Sequence, residues 1–123
     1  MKIIYQKRIY REDLQANPNV YYLFGDNVKH IGLGGQAAEM RGEPNAIGIP
    51  TKTAPGMADE DFFNDRDFAK NIDVIAEAFH KVTELPKDSI VVIPLNGLGT
   101  GLAELDTRAP RTYSYLRKWM SNL

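Results

Sequence analysis

Three observations predict an α/β protein, specifically a three-layer α/β/α sandwich with a mixed central sheet. First, short β-prone runs alternate with helical periodicities along the chain. Second, the strongest runs, Val20-Tyr21-Tyr22-Leu23-Phe24 and Ile90-Val91-Val92-Ile93, are apolar throughout, as strands covered on both faces are. Third, Phe68, Ile72, Ile75, Phe79 and Val82 recur at spacings of four and three, which marks one face of an amphipathic helix.

Each element follows from its local pattern. Lys2–Tyr10 alternates polar and apolar residues and is rich in Ile and Tyr, a strand signature. Arg11–Ala16 makes one or two helical turns, closed by Asn17-Pro18. The strand at Val20–Phe24 is expected to stop at Gly25-Asp26-Asn27, and Ile47–Ile49 is a shorter strand ended by Pro50. Gln36–Met40 can start a helix. Asp65 or Asp67 can cap or charge the start of the long helix, which ends at Pro86 and Lys87-Asp88. After the Ile90–Ile93 strand, a last helix at about Arg108–Asn122 presents Leu116, Trp119 and Met120 on one side.

Composition bounds the function. The 123 residues suffice for one domain, 1–123, and 43% apolar with 25% charged residues is the balance of an ordinary globular chain. Fifteen basic against sixteen acidic side chains give a net charge of −1. That argues against a general nucleic-acid coat or a membrane-surface binder, although a local basic patch survives such averaging. With no cysteine, disulfides, thiolate zinc sites, iron–sulfur clusters and cysteine nucleophiles are excluded. Two histidines, His30 and His80, lack metal-ligand spacing, so neither a metal nor a cofactor is expected. The longest strongly apolar stretch, Ile90 to Leu95, is far too short to span a membrane. The N-terminus lacks the apolar core of a signal peptide, and the expected address is the cytoplasm.

Two glycine-rich loops follow strands and carry the functional signal. In the first, Gly32, Gly34 and Gly35 precede Gln36, which can contact a phosphate or simply begin a helix. The second, Asn96-Gly97-Leu98-Gly99-Thr100-Gly101-Leu102, follows the Ile90–Ile93 strand. Glycine lets backbone N–H groups converge on a ligand, and a helix N-terminus behind the loop adds partial positive charge; both favour phosphate. Neither loop fits the GxxxxGK[ST] pattern or a clean GxGxxG. One glycine loop alone is as well explained by a tight turn, whereas two together can grip a diphosphate.

The pieces Asn27–Ala37, Ile49-Pro50-Thr51-Lys52 and Gly97–Leu102, in that order, resemble a macrodomain, closest to the branch of terminal ADP-ribose glycohydrolases and the antitoxins that strip ADP-ribose from DNA bases. The resemblance spans about residues 22–105. It implies an α/β/α domain that binds ADP-ribose or an ADP-ribosylated macromolecule and hydrolyses an ADP-ribosyl linkage. Asn27 would meet the distal ribose, Asp26 an adenine amino group or a ribose hydroxyl, and the glycine loops the diphosphate. Lys52, beside Thr51, would act as nucleophile or electrostatic catalyst. These hydrolases pair that lysine with an aspartate just after the phosphate loop, where this sequence has Ala103 followed by Glu104.

Each of these residues also has a plain structural explanation. Asp26 and Asn27 suit a turn or cap, Gln36 suits a helix start, Lys52 suits a solvated strand end, and Glu104 and Asp106 suit a solvated helix start. Tyr113, Tyr115 and Trp119 suit a core face, although one of them could stack on a base. The acidic stretch 54–65, with Phe62-Phe63, is either a lid over the site or an ordinary loop. Two alternatives therefore stand beside the hydrolase: a non-catalytic reader or sponge of an ADP-ribose-derived signal, and an interaction module with a dead cleft.

Overall fold

Four strands and five helices make up the computed structural model, which describes residues 1–123. In chain order they are β1 (Lys2–Gln6), α1 (Arg11–Ala16), β2 (Val20–Asn27), α2 (Ala37–Met40), β3 (Ala46–Lys52), α3 (Phe68–Thr83), β4 (Ile90–Pro94), α4 (Leu105–Arg108) and α5 (Pro110–Ser121). Single 3-10 turns occupy Asp59–Asp61 and Asp65–Asp67. The sheet order is β1-β4-β2-β3 and every pairing is parallel, so the sheet is not the mixed one expected from sequence. Each strand-to-strand connection is long and returns the chain to the same end of the sheet, which parallel pairing requires.

Register shapes the functional end. β1 runs beside β4 from Lys2↔Ile90 to Gln6↔Pro94. β2 pairs with β4 only over Val20–Tyr22, then continues beside β3 from Tyr22↔Ala46 to Asn27↔Lys52. The two central strands thus part at their carboxyl ends, the position where parallel sheets open a ligand crevice.

Alternation along the central strands feeds a core on each face of the sheet. Leu23, Val91 and Ile93 join Ile75, Phe79 and Val82 of α3 and Leu116 of α5. Tyr22, Phe24 and Val92 point the other way, to Leu14 of α1 and to Ala37 and Met40 of α2. Phe79 is fully buried and stacks on Trp119 with ring centroids 5.3 Å apart. Burying such a side chain contributes roughly 1.5–3 kcal/mol. No helix is long and apolar enough to cross a membrane.

Several boundaries differ from the sequence expectation for physical reasons. β1 ends at Gln6 rather than Tyr10, because Ile9 turns into the second core and is fully buried. β2 extends through Asn27 because β3 supplies partners that far. β3 in turn passes Pro50, a residue without an N–H, which is tolerated on an edge strand. The last helix is two helices, broken at Ala109, with Pro110 opening α5 at its first turn. Asp65 does not cap α3. Its carboxylate accepts from the amides of Arg111 and Thr112 at 2.9 and 3.0 Å and so caps α5. Phe62 and Phe63 are buried, which anchors the end of the acidic stretch to the body, while residues 55–60 stay exposed.

Candidate functional site

A cleft of about 1080 Å³ lies at the carboxyl ends of all four strands. Of the strand-end and glycine-loop residues singled out from the sequence, with Lys52 and Glu104, it gathers all but Glu104. Asp26 and Asn27 come from the end of β2, and Gly32, Gly34, Gly35 and Gln36 from the loop that follows it. Thr51 and Lys52 come from the end of β3, and Asn96, Gly97, Leu98, Gly99, Thr100, Gly101 and Leu102 from the loop after β4. Glu104 is the exception. It lies outside the lining with a left-handed backbone (φ 48), and its carboxylate is 3.4 Å from Arg108. Ala103 lines the cleft in its place.

The two glycine loops leave their amides unspent. None of the N–H groups from Ile31 to Gln36, nor from Leu98 to Ala103, donates to another group of the chain. Leu98 sinks its side chain into the core at 3% exposure, yet its amide also has no acceptor in the protein. Backbone donors left unpaired in a concavity bond water or a ligand. The backbone at Gly99 is left-handed (φ +89), and a Cβ there would sit 2.9 Å from Leu105, so only glycine fits without displacement. The helix behind the first loop, α2, has only four residues, so the macrodipole expected there is at most one turn's worth.

The polar residues of the first loop brace one another. Asp26, 6% exposed, takes Arg41 on both carboxylate oxygens at 2.5 and 3.3 Å, the Asn27 amide at 2.8 Å, and His30 Nδ1 at 2.9 Å. Burial opposes ionisation of this carboxyl, but the hydrogen bonds from Arg41, His30 and the Asn27 amide together hold it below the usual value. Gly48 makes room for it, since a Cβ there would lie 2.6 Å from a carboxylate oxygen. The Asn27 side chain donates to Ile31 O at 2.7 Å and accepts from the Lys29 amide at 3.0 Å. Gln36 spends both ends of its amide on the backbone of Ile9. Thr51 Oγ1 donates to Asp26 O.

Lys52 is 8% exposed and has no carboxylate within ion-pair distance. Its Nζ donates to Gly56 O at 2.5 Å and lies 4.4 Å from the Phe62 ring centroid. Phe62 in turn has Arg108 3.7 Å from its centroid. Tyr113, Tyr115 and Trp119 pack against the core and do not line the cleft. No group of three His, Asp or Glu side chains converges as a metal site.

Sequence reasoning missed the turn after β1, where Lys7, Arg8, Ile9 and Tyr10 line the cleft. It also missed Arg41, whereas Pro55 and Met57, which line the cleft, belong to the acidic stretch 54–65 offered as a lid. The signal was present for Lys7-Arg8: a dibasic pair at the carboxyl end of a parallel strand faces the ligand end of the sheet. Extending that strand to Tyr10 hid it. Arg41 carried no local signal, because its pairing with Asp26 spans 15 residues.

No curated protein and no solved structure matches this chain. Residues 4–119 match a family described as "Family of unknown function (DUF7831)". The match covers nearly the whole chain, from within β1 to within α5, and the protein belongs to this family.

Proposed function

We propose that the cleft binds ADP-ribose or a closely related nucleotide, free or carried on a macromolecule, in a macrodomain-like three-layer fold. The observation that carries this reading is the pair of unspent amide runs, Ile31–Gln36 and Leu98–Ala103, whose residues, Leu33 apart, line one cleft. Phosphate oxygens are strong acceptors, and converging N–H groups satisfy them without a metal. Charge supports the same conclusion: Lys7, Arg8, Arg41 and Lys52 line the cleft against only Asp26 and Glu39, in a chain of net charge −1. The diphosphate would lie between the two glycine loops, with the distal ribose toward Lys52 and the nucleoside toward β1.

The reader form of this activity is favoured over the hydrolase. Lys52 is buried beside the cleft, which suits a nucleophile, but its ammonium is committed to Gly56 O and no acid accompanies it. Ala103 lines the cleft where an acid would be needed, and Glu104 is turned to Arg108. A dead-cleft interaction module predicts no nucleotide affinity at all. A cytoplasmic setting belongs to this proposal.

Calorimetric titration with ADP-ribose, with AMP and ribose 5-phosphate as partial ligands, tests the reading. Saturable binding that needs both halves of the ligand supports the two-loop cleft. No heat and no thermal shift at millimolar ADP-ribose overturns it.

A further inference from the structure

The turn after β1 has a fixed backbone and free cations. Gln36 holds Ile9 by two hydrogen bonds, Gln6 Nε2 donates to Arg8 O at 2.8 Å, and the Asp13 carboxylate accepts from the Tyr10 amide at 2.9 Å. The Lys7 and Arg8 side chains are exposed, line the cleft, and make no ion pair or hydrogen bond within the chain. Arg8 lies 5.7 Å from the centroid of the exposed Tyr10 ring. Glu39, which also lines the cleft, accepts the Arg11 amide at 2.9 Å and the Asp26 carboxylate is paired with Arg41, and neither acid is within ion-pair distance of these two cations.

Sheet order then fixes where the cations stand relative to a ligand. The glycine loops follow the central strands, β2 and β4, whereas β1 and β3 are opposite edges. Three strand spacings separate those edges, about 14 Å. A diphosphate between the loops, with its distal ribose toward Lys52 on β3, puts Lys7 and Arg8 at the nucleoside end. A neutral base and a ribose diol need no cation there. An ammonium and a planar guanidinium side by side suit a phosphate monoester.

We propose that Lys7 and Arg8 form an anion subsite at the nucleoside end of the cleft, selecting ligands that carry a phosphate on the adenosine ribose in addition to the diphosphate. This inference rests on the ADP-ribose reading and narrows it to a phosphorylated substrate class.

The test is calorimetry with three ligands, ADP-ribose and its adenosine 2′- and 3′-phosphates, on the wild type and on a Lys7→Ala/Arg8→Ala double variant. Both side chains are exposed and outside the core, so the variant is expected to fold, which circular dichroism checks. One phosphorylated ligand is expected to bind the wild type about tenfold more tightly than ADP-ribose, since a charge-assisted contact is worth at least that factor. In the variant the ratio is expected to fall to about one. Equal wild-type affinities for all three ligands overturn the subsite and leave the ADP-ribose reading standing, as does a preference that survives the double substitution. Failure of all three to bind overturns both together.

Discussion

Gln36 and Ile9 are joined by two hydrogen bonds: the glutamine Nε2 donates to Ile9 O at 3.1 Å, and the Ile9 amide donates to Oε1 at 3.2 Å. The side chain acts as a strand's edge would and welds the first glycine loop to the turn after β1. Gln36→Ala is therefore expected to lose about 1–2 kcal/mol of stability, two modest net hydrogen bonds. It should also weaken ligand binding without touching the ligand. Thermal melting with amide exchange at Ile9 checks this; unchanged exchange there would show that the turn is held by something else.

Asp26 makes stability depend on acid. Its folded-state carboxyl lies below its ordinary value, since the hydrogen bonds from Arg41, His30 and the Asn27 amide outweigh burial. The contribution is complete above the unfolded value near 3.9 and is lost as pH falls from there through the lowered folded value. Urea unfolding of wild type and Asp26→Asn at pH 7 and pH 3 reads it. The wild type should lose more stability on acidification than the variant, and parallel losses would remove Asp26 as the cause.

Two glycines of the second loop separate backbone conformation from space. Gly97 (φ +79) has nothing within 4 Å of an added Cβ, so Gly97→Ala should cost about 1–2 kcal/mol for the left-handed backbone alone. At Gly99 (φ +89) the Cβ would also press on Leu105 at 2.9 and 3.0 Å. Gly99→Ala should cost about 1–3 kcal/mol more from overpacking. Chemical denaturation of the pair compares them, and equal losses would contradict the packing assigned to Gly99.

Lys52→Met keeps the apolar stem and removes the ammonium. The reader account predicts weaker ADP-ribose binding and no release of ADP-ribose from a modified substrate by either protein. Turnover by the wild type that disappears in Lys52→Met would instead establish the hydrolase.

How much of this was legible in the sequence depends on the range of the interaction that decides each feature. α3 followed from local periodicity, α1 from the Asn17-Pro18 stop that closes it, and β4 from one apolar run. The glycine loops were visible because their chemistry lies in consecutive residues. The extension of β2 through Asn27 was not visible, since it is set by pairing with β3 some 25 residues away. The all-parallel sheet was likewise decided by long-range pairing. Gln36, Asn27 and Asp26 were read as ligand contacts or turn and helix-start residues, and their bonds to Ile9, Ile31 and Arg41 were not visible in the sequence. Residue type announces hydrogen-bonding capacity, and only the fold decides who uses it.

In the proposed binding mode both glycine loops grip one diphosphate. Amide NMR of the 15N-labelled protein titrated with ADP-ribose tests it most directly. The amides of Gly34, Gly35, Gly99 and Gly101 are expected to shift together along one saturation curve, while those of α5 beyond Leu116 stay put. Shifts confined to one loop, or none in either loop at millimolar ligand, would contradict it.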